Sequence, residues 1–163
     1  QVYDRGDARA NRGVPFFVAG LSRAIKLSGG NEMTWKTPED RRYTETDEWI
    51  VLTGDGATVG ITDYAQDQLS DIVYVELPAA GESFEQGDIV ATVESVKAAA
   101  DVHMPVSGAM TAANGALEDE PEKVNRDPYG AAWFIKVTPT DPADIESLMD
   151  ADAYARHCAS RDD

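Results

Sequence analysis

Cysteine is almost absent from this 163-residue chain, in which Cys158 stands alone. A single thiol cannot form an intrachain disulfide, so the sequence predicts a reducing compartment and a packing role for Cys158. Histidine is also scarce. His103 and His157 lack the spacing of metal ligands, so we expect no metal site. Apolar runs are short, and the longest, Val14 to Leu21, cannot cross a bilayer.

Basic residues are few. The 14 Lys and Arg stand against 30 Asp and Glu, giving a formal net charge of −16 and a pI near 4.3. This balance argues against nucleic-acid binding and against an acidic membrane surface, because both partners attract clustered Lys and Arg. The acidity is compatible with solubility or with steering toward basic patches on partners. The length and the 42% of hydrophobic residues suit one domain with a real core.

The first 32 residues differ in charge from the rest. They hold five basic and three acidic residues, and this net of +2 leaves −18 for residues 33–163. The pattern is typical of an organelle transit segment or of sequence upstream of a start at Met33, and Gly29-Gly30-Asn31 indicates a flexible joint. We therefore expect an N-terminal extension over 1–32 and the folded domain over 33–163.

Short strands are predicted along most of that domain. Glu48–Thr53 and Ala57–Ile61 form a hairpin, and Thr62 is the N-cap of a two-turn helix that ends before Ser70. Further strands are predicted over Ile72–Leu77, Asp88–Ser95, Asp101–Met104, Gly108–Ala112 and Ala132–Val137. Strands at such spacing favour a small sandwich or barrel. Asp141 and Pro142 indicate the start of a helix with Ile145, Leu148 and Met149 on its apolar face.

A seven-residue pattern occurs twice. Val75–Gly81 and Val102–Gly108 both read V-x-(L or M)-P-x-x-G, and they lie 27 residues apart. Such repeats usually signal duplicated supersecondary units related by approximate symmetry. The stretch from Glu94 to Asp101 then lies at the connection between the two units.

Lys97 is the only basic residue between Tyr43 and Glu122, where 17 residues are acidic. It lies between two predicted strands, where a hairpin connection would expose its side chain. As an ordinary surface charge, Lys97 would merely keep the turn soluble or pair with Glu94 or Asp101, and such pairs have little energetic weight. A Schiff-base role would require burial. Covalent modification by another enzyme requires only reach, and the residues alone leave the surface-charge and modification hypotheses open.

Several motifs then carry a resemblance to a known family. Glu94-Ser95-Val96-Lys97-Ala98 resembles the E-S-V-K-A lipoylation site of glycine cleavage H proteins. Supporting motifs occur in the family's order, and the similarity covers roughly Tyr43 to Tyr154. They are Val59-Gly60-Ile61-Thr62 with Ala65-Gln66, Val75-Glu76-Leu77-Pro78, Pro105-x-Ser107-Gly108, and Asn125-x-Asp127-Pro128-Tyr129 with Trp133.

The resemblance implies a fold and a function. The fold is a mainly β lipoyl-type hybrid barrel sandwich with short helices and a C-terminal helical region. Lipoate, amide-linked to Lys97 by a lipoate-attaching enzyme, would accept an aminomethyl group from a pyridoxal-phosphate glycine decarboxylase. It would present that group to an aminomethyltransferase and be reoxidised by dihydrolipoyl dehydrogenase, so the chain would be a non-catalytic carrier. The expected location is the cytoplasm, or the mitochondrial matrix if residues 1–32 are a transit segment.

The family also implies a cleft for the loaded arm. By position, Thr46, Glu48 and Asp101 are expected to contact it, because a carboxylate can pair with the ammonium of the cargo. The chain departs from the family where Asp47 replaces a histidine, and where Ser70 and Ala132 stand at common glycine positions.

Three related carriers are alternatives. A biotin carrier typically has methionines beside its lysine, whereas Val96 and Ala98 flank Lys97. Lipoyl domains of 2-oxoacid dehydrogenases more often read D-K-A, and Trp133 with the C-terminal region favours the H protein. A lipoyl relay that donates lipoate to other complexes is left open by the sequence.

Overall fold

Strands dominate the described residues of the computed structural model, which are 22–26, 32–54 and 56–161. The strands are β1 (Ser22–Lys26), β2 (Glu32–Lys36), β3 (Arg42–Tyr43), β4 (Glu48–Thr53), β5 (Gly56–Ile61), β6 (Ile72–Glu76), β7 (Ser83–Phe84), β8 (Ile89–Ser95), β9 (Ala99–His103), β10 (Gly108–Ala113) and β11 (Ile135–Pro139). The helices are α1 (Asp63–Leu69), α2 (Ala116–Asp119), α3 (Lys123–Arg126), a 3₁₀ helix (Pro142–Ser147) and α4 (Ala151–Arg161). None of them is long and apolar enough to span a membrane.

Three antiparallel sheets organise these strands. The largest has the order β3-β4-β5-β11-β10-β7, a second has the order β9-β8-β6, and β1 pairs with β2. A hydrophobic core built from both larger sheets includes Val59, Val75, Val93, Val102 and Val137, each at most 2% exposed. The structure confirms the expected mainly β architecture with short helices.

The two seven-residue repeats follow similar paths. Each begins in a strand of the three-stranded sheet, β6 or β9, and both strands flank β8. Each then leads into the larger sheet, where β7 and β10 are neighbours. The β8–β9 hairpin therefore connects the two units, as the spacing predicts.

A second core cluster lies beneath α4. It includes Trp35, Tyr43, Trp49, Tyr154 and Cys158, each at most 3% exposed. Its rings pack closely, with Tyr43 stacked on Tyr154 at 4.7 Å between centroids. Cys158 is fully buried among these side chains, which confirms its packing role.

Local sequence signals explain several element ends. Thr62 caps α1 through a hydrogen bond from the Ala65 amide to its hydroxyl, as predicted. Asp141 caps the 3₁₀ helix in the same way, and Pro142 occupies its first turn.

The predicted helix after Asp141 is shorter than expected. It is a 3₁₀ helix that ends at Ser147, and Leu148 is already extended. Met149 exchanges two backbone hydrogen bonds with Tyr43, which draws the chain into a β-bridge before α4 begins. The expected continuous apolar face of Ile145, Leu148 and Met149 was therefore wrong.

The predicted strand over Ala132–Val137 begins later, at Ile135. Ala132 belongs to a turn, because its amide donates to the Asp127 carbonyl. The Asn114 amide group donates to the carbonyls of Ala131 and Trp133, so these carbonyls bond a side chain rather than a strand. Similarly, the strand predicted over Asp101–Met104 is Ala99–His103, two residues earlier at its start.

The expected extension over 1–32 is described only in part. Residues 22–26 form β1, which pairs with β2 from Ser22 opposite Lys36 to Lys26 opposite Glu32. Residues 1–21 and 27–31 lie outside the described residues. The boundary at Met33 therefore stays a prediction.

Candidate functional site

Ser95 builds the turn that carries Lys97. Its hydroxyl oxygen accepts hydrogen bonds from the amides of Lys97 at 3.1 Å and Ala98 at 2.9 Å. The same hydroxyl donates to the Ala98 carbonyl at 2.9 Å. This uses the one donor and both acceptor sites of a serine hydroxyl, so the tip of the β8–β9 hairpin is held by a single side chain.

The side chain of Lys97 is exposed at that tip. Its Nζ donates to the Gln68 carbonyl, 3.2 Å away near the end of α1. The neighbouring Val96 amide donates to the Asp71 carbonyl, so the tip rests on the chain after α1, while the Val96 side chain is 69% exposed. Within the described residues, Lys97 forms no ion pair with Glu94 or Asp101.

Glu48 is completely buried at the start of β4, with 0% exposure. Its Oε1 accepts from the hydroxyl groups of Thr44 at 2.5 Å and Thr46 at 2.6 Å. Its Oε2 accepts from the His103 backbone amide at 2.9 Å. Burial raises the pKa of the Glu48 carboxyl above its ordinary value, and these three hydrogen bonds oppose that shift.

A cavity of about 350 Å³ opens beside Glu48. It lies where the loop before β4 meets the end of β9 and the segment after the 3₁₀ helix. Polar atoms come from Thr44, Thr46, Glu48 and His103, and apolar walls include Met104, Pro105 and Leu148. An apolar cavity with a few convergent polar groups is the usual form of a small-ligand site.

Comparison with known proteins identifies the family. The family model for the glycine cleavage H-protein matches residues 41–161. The chain belongs to the glycine cleavage H-protein family. It is 53% identical over 117 residues to a glycine cleavage system H protein of Thermus thermophilus, covering 72% of this chain and 91% of that protein. The corresponding protein of Bacteroides fragilis is 50% identical over 117 residues, covering 72% and 93%.

A solved structure agrees with the assignment. The crystal structure of a glycine cleavage system H protein from Mycobacterium marinum superposes with a TM-score of 0.67 at 39% identity, covering 73% of this chain and 96% of that one. The expected H-protein fold, a lipoyl-type barrel sandwich, is thereby confirmed. This H-protein family member is therefore the lipoyl carrier of the glycine cleavage system. The comparisons give no support to the relay, biotin-carrier or 2-oxoacid dehydrogenase alternatives.

The predicted cleft residues of this family member are only partly brought together. Thr46 and Glu48 line the cavity and bond each other. Asp101 does not line it, and lies exposed on β9 opposite Thr92. The expected grouping of Asp101 with Glu48 is therefore not seen in the described residues.

His103 was missed as a site residue by the sequence analysis. The spacing of His103 and His157 indicates only that they are not metal ligands, and no local sequence pattern connects His103 to Glu48, 55 residues earlier. The available hint was its place in the second repeat, between the buried residues Val102 and Met104. A polar residue between two core positions at the end of a strand indicates a side chain that faces away from the core.

Asp47, at the position where the resemblance implies a histidine, takes a structural role. Its φ of +78° lies in the left-handed region, which aspartate tolerates better than most residues. Its carboxylate accepts from Arg161 Nη2 at 2.6 Å, at the end of α4. Partial burial lowers the pKa of Arg161, but the hydrogen bond to Asp47 and the charge of that carboxylate help to raise it above its ordinary value overall.

Proposed function

We propose that Lys97 is the residue that bears lipoate in this carrier. Two features support it: the amine is exposed at the hairpin tip, and the Ser95 side chain holds the turn that carries it. Attachment replaces the ammonium by an amide, whose remaining N–H can still donate to the Gln68 carbonyl. When attached, lipoate supplies a dithiolane whose sulfur carries the one-carbon unit.

We assign the transferred chemistry to partner enzymes rather than to this chain. The pyridoxal-phosphate glycine decarboxylase, the aminomethyltransferase, dihydrolipoyl dehydrogenase and a lipoate-attaching enzyme would each have to reach the exposed hairpin tip. Lys97 has exposed neighbours along the chain that the partner enzymes could recognise, namely Glu94, Val96 and Ala98. We place this carrier in the cytoplasm, since the relatives compared above are bacterial.

The cavity beside Glu48 is the proposed resting place of the cargo. An ammonium there would face a carboxylate whose desolvation makes it a strong partner. Thr46 supports this cargo site because its hydroxyl donates to Glu48 Oε1 and so fixes the carboxylate. The other oxygen, Oε2, then faces His103. Asp101 lies on β9 between Lys97 and His103, so we propose that it contacts the arm on its way to the cavity rather than the cargo itself.

Glycine-dependent loading tests this function. The lipoylated protein, incubated with glycine and the pyridoxal-phosphate decarboxylase, should gain an aminomethyl group in its intact mass. Glu48→Gln should load but lose the group about tenfold faster, because a hydrogen bond to a charged partner is weakened. Glu118→Gln is the matched control, since Glu118 is exposed on α2. A lipoylated protein that never loads would favour the relay.

A further inference from the structure

The ring of His103 has an unpartnered nitrogen at the cavity. Its Nδ1 atom is buried and has no hydrogen-bond partner, although it lies 3.5 Å from Glu48 Oε2. At that separation the two groups form no hydrogen bond. The His103 side chain as a whole is 32% exposed, and the residue lines the cavity.

Glu48 has one acceptor position left, on the oxygen nearest to that ring. A carboxylate offers about four lone-pair positions. Two on Oε1 are taken by Thr44 and Thr46, and one on Oε2 is taken by the His103 amide. In the tautomer that carries its proton on Nε2, the free Nδ1 of His103 and the remaining position on Oε2 are two neighbouring acceptors without a donor.

We propose that His103 and Glu48 together form a two-acceptor site for the cargo ammonium, with the neutral imidazole accepting through Nδ1. This inference rests on the proposed function of the cavity. An ammonium group has several N–H donors, so it can bond both acceptors at once. The neutral ring carries its proton on Nε2, and its other nitrogen then accepts.

The site favours the charged form of the cargo. A protonated amine has no lone pair on nitrogen, so it cannot help to expel its neighbouring sulfur. Two acceptors in an apolar cavity hold that proton on nitrogen more firmly than one. His103 is thus a positioning residue that extends the lifetime of the cargo, beyond the charge that Glu48 supplies alone.

Variants at position 103 distinguish the loss of a hydrogen-bond acceptor from the loss of side-chain volume. His103→Ala should shorten the lifetime of the loaded carrier about tenfold, because one hydrogen bond to a charged donor is lost. His103→Asn puts an acceptor oxygen near the place of Nδ1, so its lifetime should stay within about twofold of the native value. An Ala variant that releases cargo at the native rate would overturn the proposal.

Nuclear magnetic resonance of the ring supplies a readout that does not depend on turnover. The chain has two histidines, so ¹⁵N-histidine labelling gives two rings, and His157 on α4 serves as the internal reference. Loading should move the His103 Nδ1 resonance upfield, as acceptance of a hydrogen bond does, and leave His157 in place. An unmoved His103 resonance in a protein whose mass shows full loading contradicts the inference alone. Absence of any lipoyl or aminomethyl mass contradicts the proposed function and the inference with it.

Discussion

The hydroxyl group of Tyr154 donates a hydrogen bond to Asp47 Oδ1 at 2.8 Å, and so ties α4 to the loop before Glu48. The Thr62 hydroxyl lies 2.7 Å from the same phenol oxygen. Burial raises the pKa of Tyr154 far above its ordinary value, so the phenol stays a donor. His157 adds a contact from α4 to the Glu45 carbonyl at 3.1 Å. The C-terminal helix therefore fixes the loop that carries Thr46.

Tyr154→Phe removes this tie while keeping the stacked ring. We expect a loss of about 1.5–3 kcal/mol in the free energy of unfolding, because a partly buried hydrogen bond to a carboxylate is broken. Urea denaturation measures it. Tyr74→Phe is the matched control, since Tyr74 is 45% exposed, and it should change stability by less than about 0.5 kcal/mol. Equal stability of the two variants would show that the Tyr154 hydrogen bond contributes nothing.

The melting temperature of Glu48→Gln, relative to that of the native chain, should be a few degrees higher at pH 7 than near pH 4.5, because Gln stays neutral at both pH values. The NH2 group of Gln cannot accept the hydrogen bond that a carboxylate oxygen accepts, and this loss is the same at both pH values. The pKa of Glu48 in the folded protein is raised, mainly by burial. A carboxyl with a raised pKa stabilises the fold in its protonated form, and this contribution disappears as the pH rises through the folded pKa. The relative melting temperature of Glu48→Gln should therefore fall as the pH falls toward the ordinary Glu value near 4.5.

Thermal unfolding at several pH values checks this, with Glu118→Gln as the exposed control. A difference in melting temperature between the two proteins that stays the same from pH 7 to pH 4.5 would mean that the pKa of Glu48 is not raised in the folded protein. That result would contradict a buried carboxylate whose charge lowers the stability of the fold.

Gly60→Ala should be costly because of Trp49. A Cβ at position 60 would lie 2.6–2.8 Å from three atoms of the indole ring, which is buried and donates through Nε1 to the Pro128 carbonyl. The ring would have to shift, at about 1–3 kcal/mol. Gly115→Ala is the matched control, with open space and a φ of −60°. Calorimetry should show a lower melting temperature for Gly60→Ala only, and equal values would contradict this packing.

Local features of this chain could be predicted from the sequence. The β4–β5 hairpin, the Thr62 cap and the exposure of Lys97 all depend on residues close together in sequence. Their physical causes, such as strand alternation and capping hydrogen bonds, act over a few residues. The family motif around Lys97 then connected that local pattern to a carrier function.

Contacts between distant segments could not be predicted in this way. Tyr154 meets Asp47 across 107 residues, and the His103 amide meets Glu48 across 55. Both depend on how the sheets and α4 pack. The apolar pair Trp133 and Phe134 suggested a strand, but the Asn114 side chain takes the Trp133 carbonyl. Asp101, chosen by family position, proved to be on β9 outside the cavity lining.

The most direct test of the account is the intact mass of this protein after expression with lipoate and its attaching enzyme. The native chain should gain one lipoyl group, and Lys97→Arg should gain none. Lys123→Arg is the matched control, because Lys123 is a surface lysine that pairs with Glu120 at 3.1 Å, and it should gain the group as the native chain does. A lipoyl increment that persists in Lys97→Arg would contradict the assignment of Lys97.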